Sequence, residues 1–247
     1  MDLVSQEIID VLVIAAHPDD AELSCGGTIA QLTAAGKKVV IADCTRGELG
    51  SRGTIELRAL EAQKASAILG VTNRINLEME DGNILRSQEN TRKIITTIRR
   101  FRPTIILFNP PHERHPDHEH VHQLVRMAVF QSGLIKIQTP WNGQFLEPHR
   151  PEKMFCYMQT YEFSPSFYVD ISDVFAQKMD SIRAYSSQVF VEGEHDGSEP
   201  QTFISKPAFM EMIEARARYF GSLIGVDYAE AFLSLEPVGL PSLSHWL

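Results

Sequence analysis

Val11-Leu12-Val13-Ile14-Ala15-Ala16-His17-Pro18-Asp19-Asp20-Ala21-Glu22 passes from an uncharged apolar run straight into an imidazole, a ring-locked residue and two adjacent carboxylates. The first six residues read as a buried strand. Gly26 and Gly27 follow, and the pattern then predicts a helix from Thr28 to Ala35. In an open α/β sheet, ligands sit at the carboxyl ends of the strands beside helix N-termini. An imidazole and two carboxylates at such a place point to a metal site with a base beside it. Capping the next helix would use one carboxylate, not two with a histidine.

Outward from this stretch the chain alternates. Val39 to Ala42 reads as a second strand, followed by the glycine-punctuated loop Arg46 to Gly53 and a helix from Thr54, as cap, to Gly70. Arg74 to Leu77 is a short third strand, Asp81-Gly82 a turn, Ser87 to Arg100 a helix and Thr104 to Phe108 a fourth strand. His122 to Gln131 is predicted helical. Further on, Lys153 to Met158 and Phe167 to Ile171 read as strands, and Asp173 to Ala184 and Lys206 to Phe220 as helices. Val191 to Pro200, acidic and polar, reads as a mobile surface loop. Strands alternating with helices imply βαβ units and a mainly parallel sheet, an α/β fold. No composition break divides the chain, so residues 1–247 are expected to form a single domain.

Hydrophobic residues make up 43% and charged residues 22% of the 247, ordinary for a soluble globular protein. A net charge of −9 argues against nucleic-acid or anionic-membrane partners, which need clustered Lys and Arg. It leaves room for a small anionic substrate held by local arginines. Cys25, Cys44 and Cys156 are far apart and read as buried thiols in a reducing compartment. No basic region precedes the first apolar run, and no stretch approaches the roughly 20 apolar residues of a membrane span. The expectation is a cytoplasmic protein.

The fourth strand also ends abruptly in charge, at Asn109-Pro110-Pro111-His112-Glu113-Arg114-His115-Pro116-Asp117-His118. Hydrolytic zinc sites use three protein ligands with an open fourth position. His17 and Asp20, three apart, can share one side of a helical turn, and His118 supplies a third ligand if the two strands are neighbours. Asp19 then points to the other side and suits a general base. His115 suits a donor to the oxyanion and an acid for a departing amine, with Asp117 or another carboxylate holding it charged and oriented. A rival pattern overlaps: His118-Glu119-His120-Val121-His122 matches H-E-x-x-H, which on a helix gives two zinc ligands and a protease base. A non-catalytic nucleotide or sugar binder is a further alternative, resting only on Cys25-Gly26-Gly27 near a helix start.

With A-H-P-D-D-x-E at Ala16 to Glu22 and H-P-D-H at His115 to His118, the chain resembles the PIG-L/LmbE-like zinc-dependent N-deacetylases. The resemblance implies a Rossmann-like three-layer fold with the site at the C-terminal strand ends. It implies Zn2+ (or another divalent metal) on His17, Asp20 and His118, Asp19 as base, and His115 as acid partner paired with Asp117. Gly47 to Thr54, Arg58, Glu61-Ala62 and Ala184-Tyr185-Ser186-Ser187-Gln188 extend the similarity to the bacillithiol-pathway N-acetylglucosaminyl-malate deacetylases. That similarity implies a small-molecule sugar substrate, with Arg52 contacting it. Arg114, in the site loop, is a second substrate-binding candidate, and Arg58 a weaker one whose default explanation is an ion pair. Relatives are often homo-oligomers, and the aromatic segment near Trp141 and Phe145 can serve as interface or core. One departure stands out: the mycothiol-pathway deacetylases place a tyrosine where this chain has Glu113, which cannot donate when ionised.

Overall fold

The structure, a computed structural model, describes residues 7–193, 199–239 and 242. In chain order it contains β1 (Val11–Ala15), α1 (Asp20–Ala34), β2 (Val39–Asp43), α2 (Ile55–Leu69), β3 (Asn73–Asn76), α3 (Gln88–Phe101), β4 (Ile105–Phe108) and α4 (Pro116–Ser132). The second half adds β5 (Pro140–Trp141), β6 (Gln144–Phe145), β7 (Lys153–Tyr157), β8 (Phe167–Asp170), a 3-10 turn (Ser172–Val174), α5 (Phe175–Arg183), α6 (Pro207–Ile224) and β9 (Ala229–Ser234). Seven strands form one sheet in the order β3-β2-β1-β4-β7-β9-β8, the first five parallel and β9 antiparallel to both neighbours. The α/β, Rossmann-like expectation holds.

β1 is central and apolar because both its faces are covered. Leu12 and Ile14 join the cluster under α3 and α4, whereas Val11, Val13 and Ala15 join the cluster under α1. A fully buried Ile or Leu contributes about 1.5–3 kcal/mol, so this strand anchors both layers. The chain leaves β1 towards β2 on one side and β4 lies on the other, so the strand order reverses here and opens a crevice at the carboxyl ends. Ile14 pairs with Phe108, so β1 and β4 leave the sheet level with each other. The two polar segments therefore start side by side.

The predicted start of α1 at Thr28 needs correction. The helix begins at Asp20, and only a kink at Cys25 (φ −136°, ψ 22°) separates its first turns from the rest. The second part has a remote cap: Gly27 N and Thr28 N donate to the two oxygens of Glu230 on β9 at 2.9 and 2.8 Å. A Cβ on Gly27 would meet Ile171 at 2.8 Å, so glycine lets the helix pack this closely. Likewise α4 starts at Pro116, six residues before the predicted His122, with proline at its first position. β9 and the β5–β6 hairpin have no counterpart in the sequence reading. The acidic loop expected over 191–200 lies partly outside the described residues. The aromatic segment splits: Phe145 is exposed, whereas Trp141 is half-buried against Arg100. The three cysteines are buried and free, as expected. No helix among the described residues is long and apolar enough to cross a membrane.

Candidate metal centre and active site

Neither aspartate of the His-Pro-Asp-Asp turn caps α1 through its side chain. Asp20 Oδ2 instead accepts from His17 N at 3.0 Å, folding the turn back on itself. Asp19 has φ +107°, a left-handed conformation that costs a non-glycine residue on the order of 1–3 kcal/mol. Arg58 of α2 holds it there: Nη2 donates to the Pro18 carbonyl and to Asp19 Oδ2, each at 2.8 Å. The sequence-level default for Arg58, an ion pair, is correct, but the partner is the candidate base.

His118 Nε2 lies 3.3 Å from His17 Nδ1 and 3.3 Å from Asp20 Oδ1. Two ring nitrogens and a carboxylate oxygen thus converge, and they form one of two metal-compatible groups among the described residues. The other, His17 with His115 and Asp117, shares His17. Behind His17, Asp81 Oδ1 stands 3.0 Å and Asp117 Oδ2 3.5 Å from Nε2, close enough for a charge interaction, although Nε2 has no formed hydrogen bond among the described residues. Burial alone would lower His17, yet Asp117, Asp20 and Asp81 override it and hold its pKa well above the ordinary value. The site therefore demands positive charge. Two imidazoles and one carboxylate with room for a fourth ligand are the donor set of a hydrolytic divalent-cation centre, so these residues fit a metal ion.

Outer partners set the geometry. Gln159, in the loop after β7, donates from Nε2 to Asp20 Oδ1 at 2.9 Å, while its Oε1 accepts from Asn109 Nδ2 at 2.9 Å. Arg216 of α6 donates to the Gln159 carbonyl. Sequence reasoning missed Gln159 and Arg216, because neither belongs to a local motif.

His115 caps α4, its Nδ1 accepting from Asp117 N at 3.2 Å. That contact keeps the proton on Nε2 of a neutral ring. Burial and the neighbouring His17 and His118 pull its pKa below the ordinary value. The expected pairing with the Asp117 carboxylate is not what the structure displays: Asp117 accepts from Gly82 N at 2.7 Å and Ile84 N at 3.2 Å and faces His17. His115 is thus a neutral N–H donor rather than a pre-charged acid. Asp19 can carry the proton instead, since burial pushes it up to about 7 against the opposing pull of Arg58.

A cavity of about 330 Å³ opens over these groups, lined by His17, Asp19, Asp20, His115 and His118, with Leu23, Met212 and Ile213 as an apolar wall. Arg114 lines the mouth and stacks on Phe203, its guanidinium carbon 4.9 Å from the ring centre. Arg52 does not line the cavity. It donates to Ser187 O at 2.9 Å and Pro200 O at 3.0 Å and pairs with Glu199 at 3.2 Å, so its side chain fastens the segment that leads to Phe203. Glu113 is likewise turned away, accepting from the amides of Arg114, Thr160 and Tyr161. The H-E-x-x-H rival fails on geometry. His122 is buried against Phe108 with Nδ1 3.0 Å from Asn109 O, and Glu119 accepts from Glu113 N outside the cavity.

Fold and site together define a Rossmann-like α/β protein with a two-histidine, one-carboxylate centre at its switch point. The pattern that describes the PIG-L family, GlcNAc-PI de-N-acetylase, matches residues 12–129. The diacetylchitobiose deacetylase of Thermococcus kodakarensis is 35% identical over 234 residues, covering 91% of this chain and 82% of that protein. A Bacillus cereus protein described as a probable N-acetyl-alpha-D-glucosaminyl L-malate deacetylase 2 is 31% identical over 196 residues, covering 72% and 83%. The crystal structure of a conserved protein from Thermus thermophilus superposes with a TM-score of 0.83 at 40% identity, covering 95% of this chain and 98% of that one. The chain belongs to the PIG-L family of N-acetylglucosaminyl-type deacetylases.

Proposed function

We propose that this protein hydrolyses the acetamide of an N-acetylglucosaminyl conjugate, releasing acetate and a free amine, with Zn2+ on His17, Asp20 and His118. The convergence of those three side chains beside Asp19 and His115 carries the reading. The ion supplies Lewis acidity to the acetamide carbonyl and to water. Asp19 Oδ1, the oxygen left free of Arg58, takes the proton of the attacking water. His115 Nε2–H donates to the oxygen on which negative charge develops. The Asp19 carboxyl then hands its proton to the departing nitrogen. Leu23, Met212 and Ile213 keep that side of the cavity apolar, which strengthens these interactions.

Both functionally named relatives act on acetamido sugars, and their aglycones differ: a second sugar in one, malate in the other. Arg114 at the mouth favours an acidic aglycone such as the malyl group. Acetate release is measured from N,N'-diacetylchitobiose, N-acetylglucosaminyl-malate and a methyl N-acetylglucosaminide with zinc-loaded protein. Asp19→Asn should abolish it, and Glu119→Gln and His122→Ala should retain it. No acetate from any of the three would refute the reading; loss in Glu119→Gln with retention in Asp19→Asn would restore the protease-like alternative.

A further inference from the structure

Arg216 is the charged group of the cavity that the chemistry above leaves unused. Arg58 is paired with Asp19, Arg74 with Glu22 and Asp43, and Arg52 with Glu199. Arg216, which lines the cavity, donates only to the Gln159 carbonyl and forms no ion pair among the described residues. The Arg114 guanidinium also has no carboxylate partner among the described residues, but it is exposed and rests on Phe203. Burial weighs on Arg216, lowering its pKa, and the acids that act on it are Glu113, Glu162 and Glu230. Glu113 is spent on three backbone amides, and Glu230 on Lys178 and the kinked helix α1. A guanidinium carries five N–H donors, so most of this one is available.

Beside it is a second unused group. Ser24, one turn after Asp20 on α1, is 5% exposed, and its Oγ has no hydrogen-bond partner among the described residues. Ser24, Ile213 and Arg216 line both the main cavity and a pouch of about 10 Å³ behind it, so they form the neck between the two. An unpaired cation and a free buried hydroxyl at one neck suit a ligand that is anionic, planar and able to accept from both. A carboxylate meets all three conditions, and guanidinium binds it through parallel N–H donors. The rest of the cavity carries Asp19, Asp20 and Asp81, which repel such an anion.

We propose that Arg216 and Ser24 form a carboxylate-binding subsite in the neck of the cavity, next to the candidate metal ligands. Two sources supply a carboxylate there: the acetate released by the proposed hydrolysis, or an acid group on the substrate's aglycone. Only the choice of source rests on the deacetylase reading; the subsite rests on a guanidinium without an ion pair and a buried hydroxyl without a hydrogen-bond partner among the described residues.

Calorimetric titration of the zinc-loaded chain with sodium acetate, against sodium chloride at matched ionic strength, tests the subsite without turnover. Arg216→Met should weaken acetate binding at least tenfold, Arg216→Lys less, and Ser24→Ala a few-fold, each compared at full zinc occupancy. Undiminished acetate affinity in Arg216→Met overturns the proposal. Should that variant lose its metal or its fold, unchanged affinity in both Arg216→Lys and Ser24→Ala overturns it equally. Absence of acetate binding by the parent chain does the same. Kinetics then separate the sources: Arg216→Met raises KM for the malyl conjugate but not the methyl glycoside if the aglycone is held, and relieves inhibition by added acetate if the product is. Acetate binding that depends on Arg216 in a chain that hydrolyses no N-acetylglucosaminide would remove the proposed function and leave the subsite standing.

Discussion

Arg58 Nη2 bridges the Pro18 carbonyl and the Asp19 carboxylate, 2.8 Å from each, so one guanidinium sets both the backbone and the charge of the candidate base. Burial raises the Asp19 pKa and Arg58 is the largest force lowering it. A neighbouring arginine lowers an aspartate by about 1–3 pH units. Replacing Arg58 with methionine therefore raises Asp19 further and shrinks the fraction of base at neutral pH. The acid limb of the kcat/KM profile should move up by about one pH unit, with roughly fivefold loss at pH 7 and partial recovery in Arg58→Lys. A profile that keeps its acid limb in place would show that Asp19 is not the group titrating there.

Gln159 touches the candidate metal centre only through Asp20. Its side-chain amide holds the carboxylate, Asn109 holds that amide, and Arg216 holds the Gln159 main-chain carbonyl. Losing such an outer partner costs roughly 10–100-fold in metal affinity. Gln159→Leu should show that loss in zinc competition against a chromophoric chelator, with the fold intact by circular dichroism. Unchanged affinity would make Gln159 a wall of the cavity and nothing more.

What was legible in the sequence follows how local each determinant is. β1, β2 and β4 are apolar runs, Thr54 and Ser87 cap the helices that follow them, and Gly70 ends α2 in the left-handed conformation, all readable within a few residues. The convergence of His17, Asp20 and His118 was legible because each half is a short motif at a strand end. The start of α1 was not, since Glu230, more than 200 residues on, caps its second half. β9 hid because Ala229-Glu230-Ala231 lacks the β-branched residues that mark a strand, and pairing with β7 and β8 overrides that preference. The family resemblance assigns Arg52 to substrate; its partners in the fold, Ser187, Glu199 and Pro200, lie more than 130 residues away and leave no local pattern to oppose that reading.

Those partners give Arg52 a distinguishable signature. If it fastens the wall that carries Phe203, then Glu199→Ala should reproduce part of the Arg52→Ala effect, and the double variant should be little worse than Arg52→Ala alone. KM should rise several-fold while kcat changes less. Glu199 is partly exposed, so the pair itself is worth only about 0–1 kcal/mol in stability. A silent Glu199→Ala beside a damaging Arg52→Ala would return Arg52 to direct substrate contact.

The buried pair Lys178–Glu230 sits 2.5 Å apart with both side chains 3% exposed, and Glu230 also holds Gly27 N, Thr28 N and Thr28 Oγ1. Removing one member of such a pair strands the other's charge and costs about 3–5 kcal/mol. Lys178→Met leaves the Glu230 carboxylate its amide donors, whereas Glu230→Leu strands Lys178 and uncaps the second half of α1. Glu230→Leu should therefore be the more damaging in denaturant melts. Because the kink at Cys25 lies between Asp20 and that cap, Glu230→Leu should also weaken zinc binding, while Lys178→Met should lower stability with less effect on the metal. Equal losses in both measurements for both variants would mean that the pair supports the fold as a whole and has no particular hold on the helix that carries Asp20.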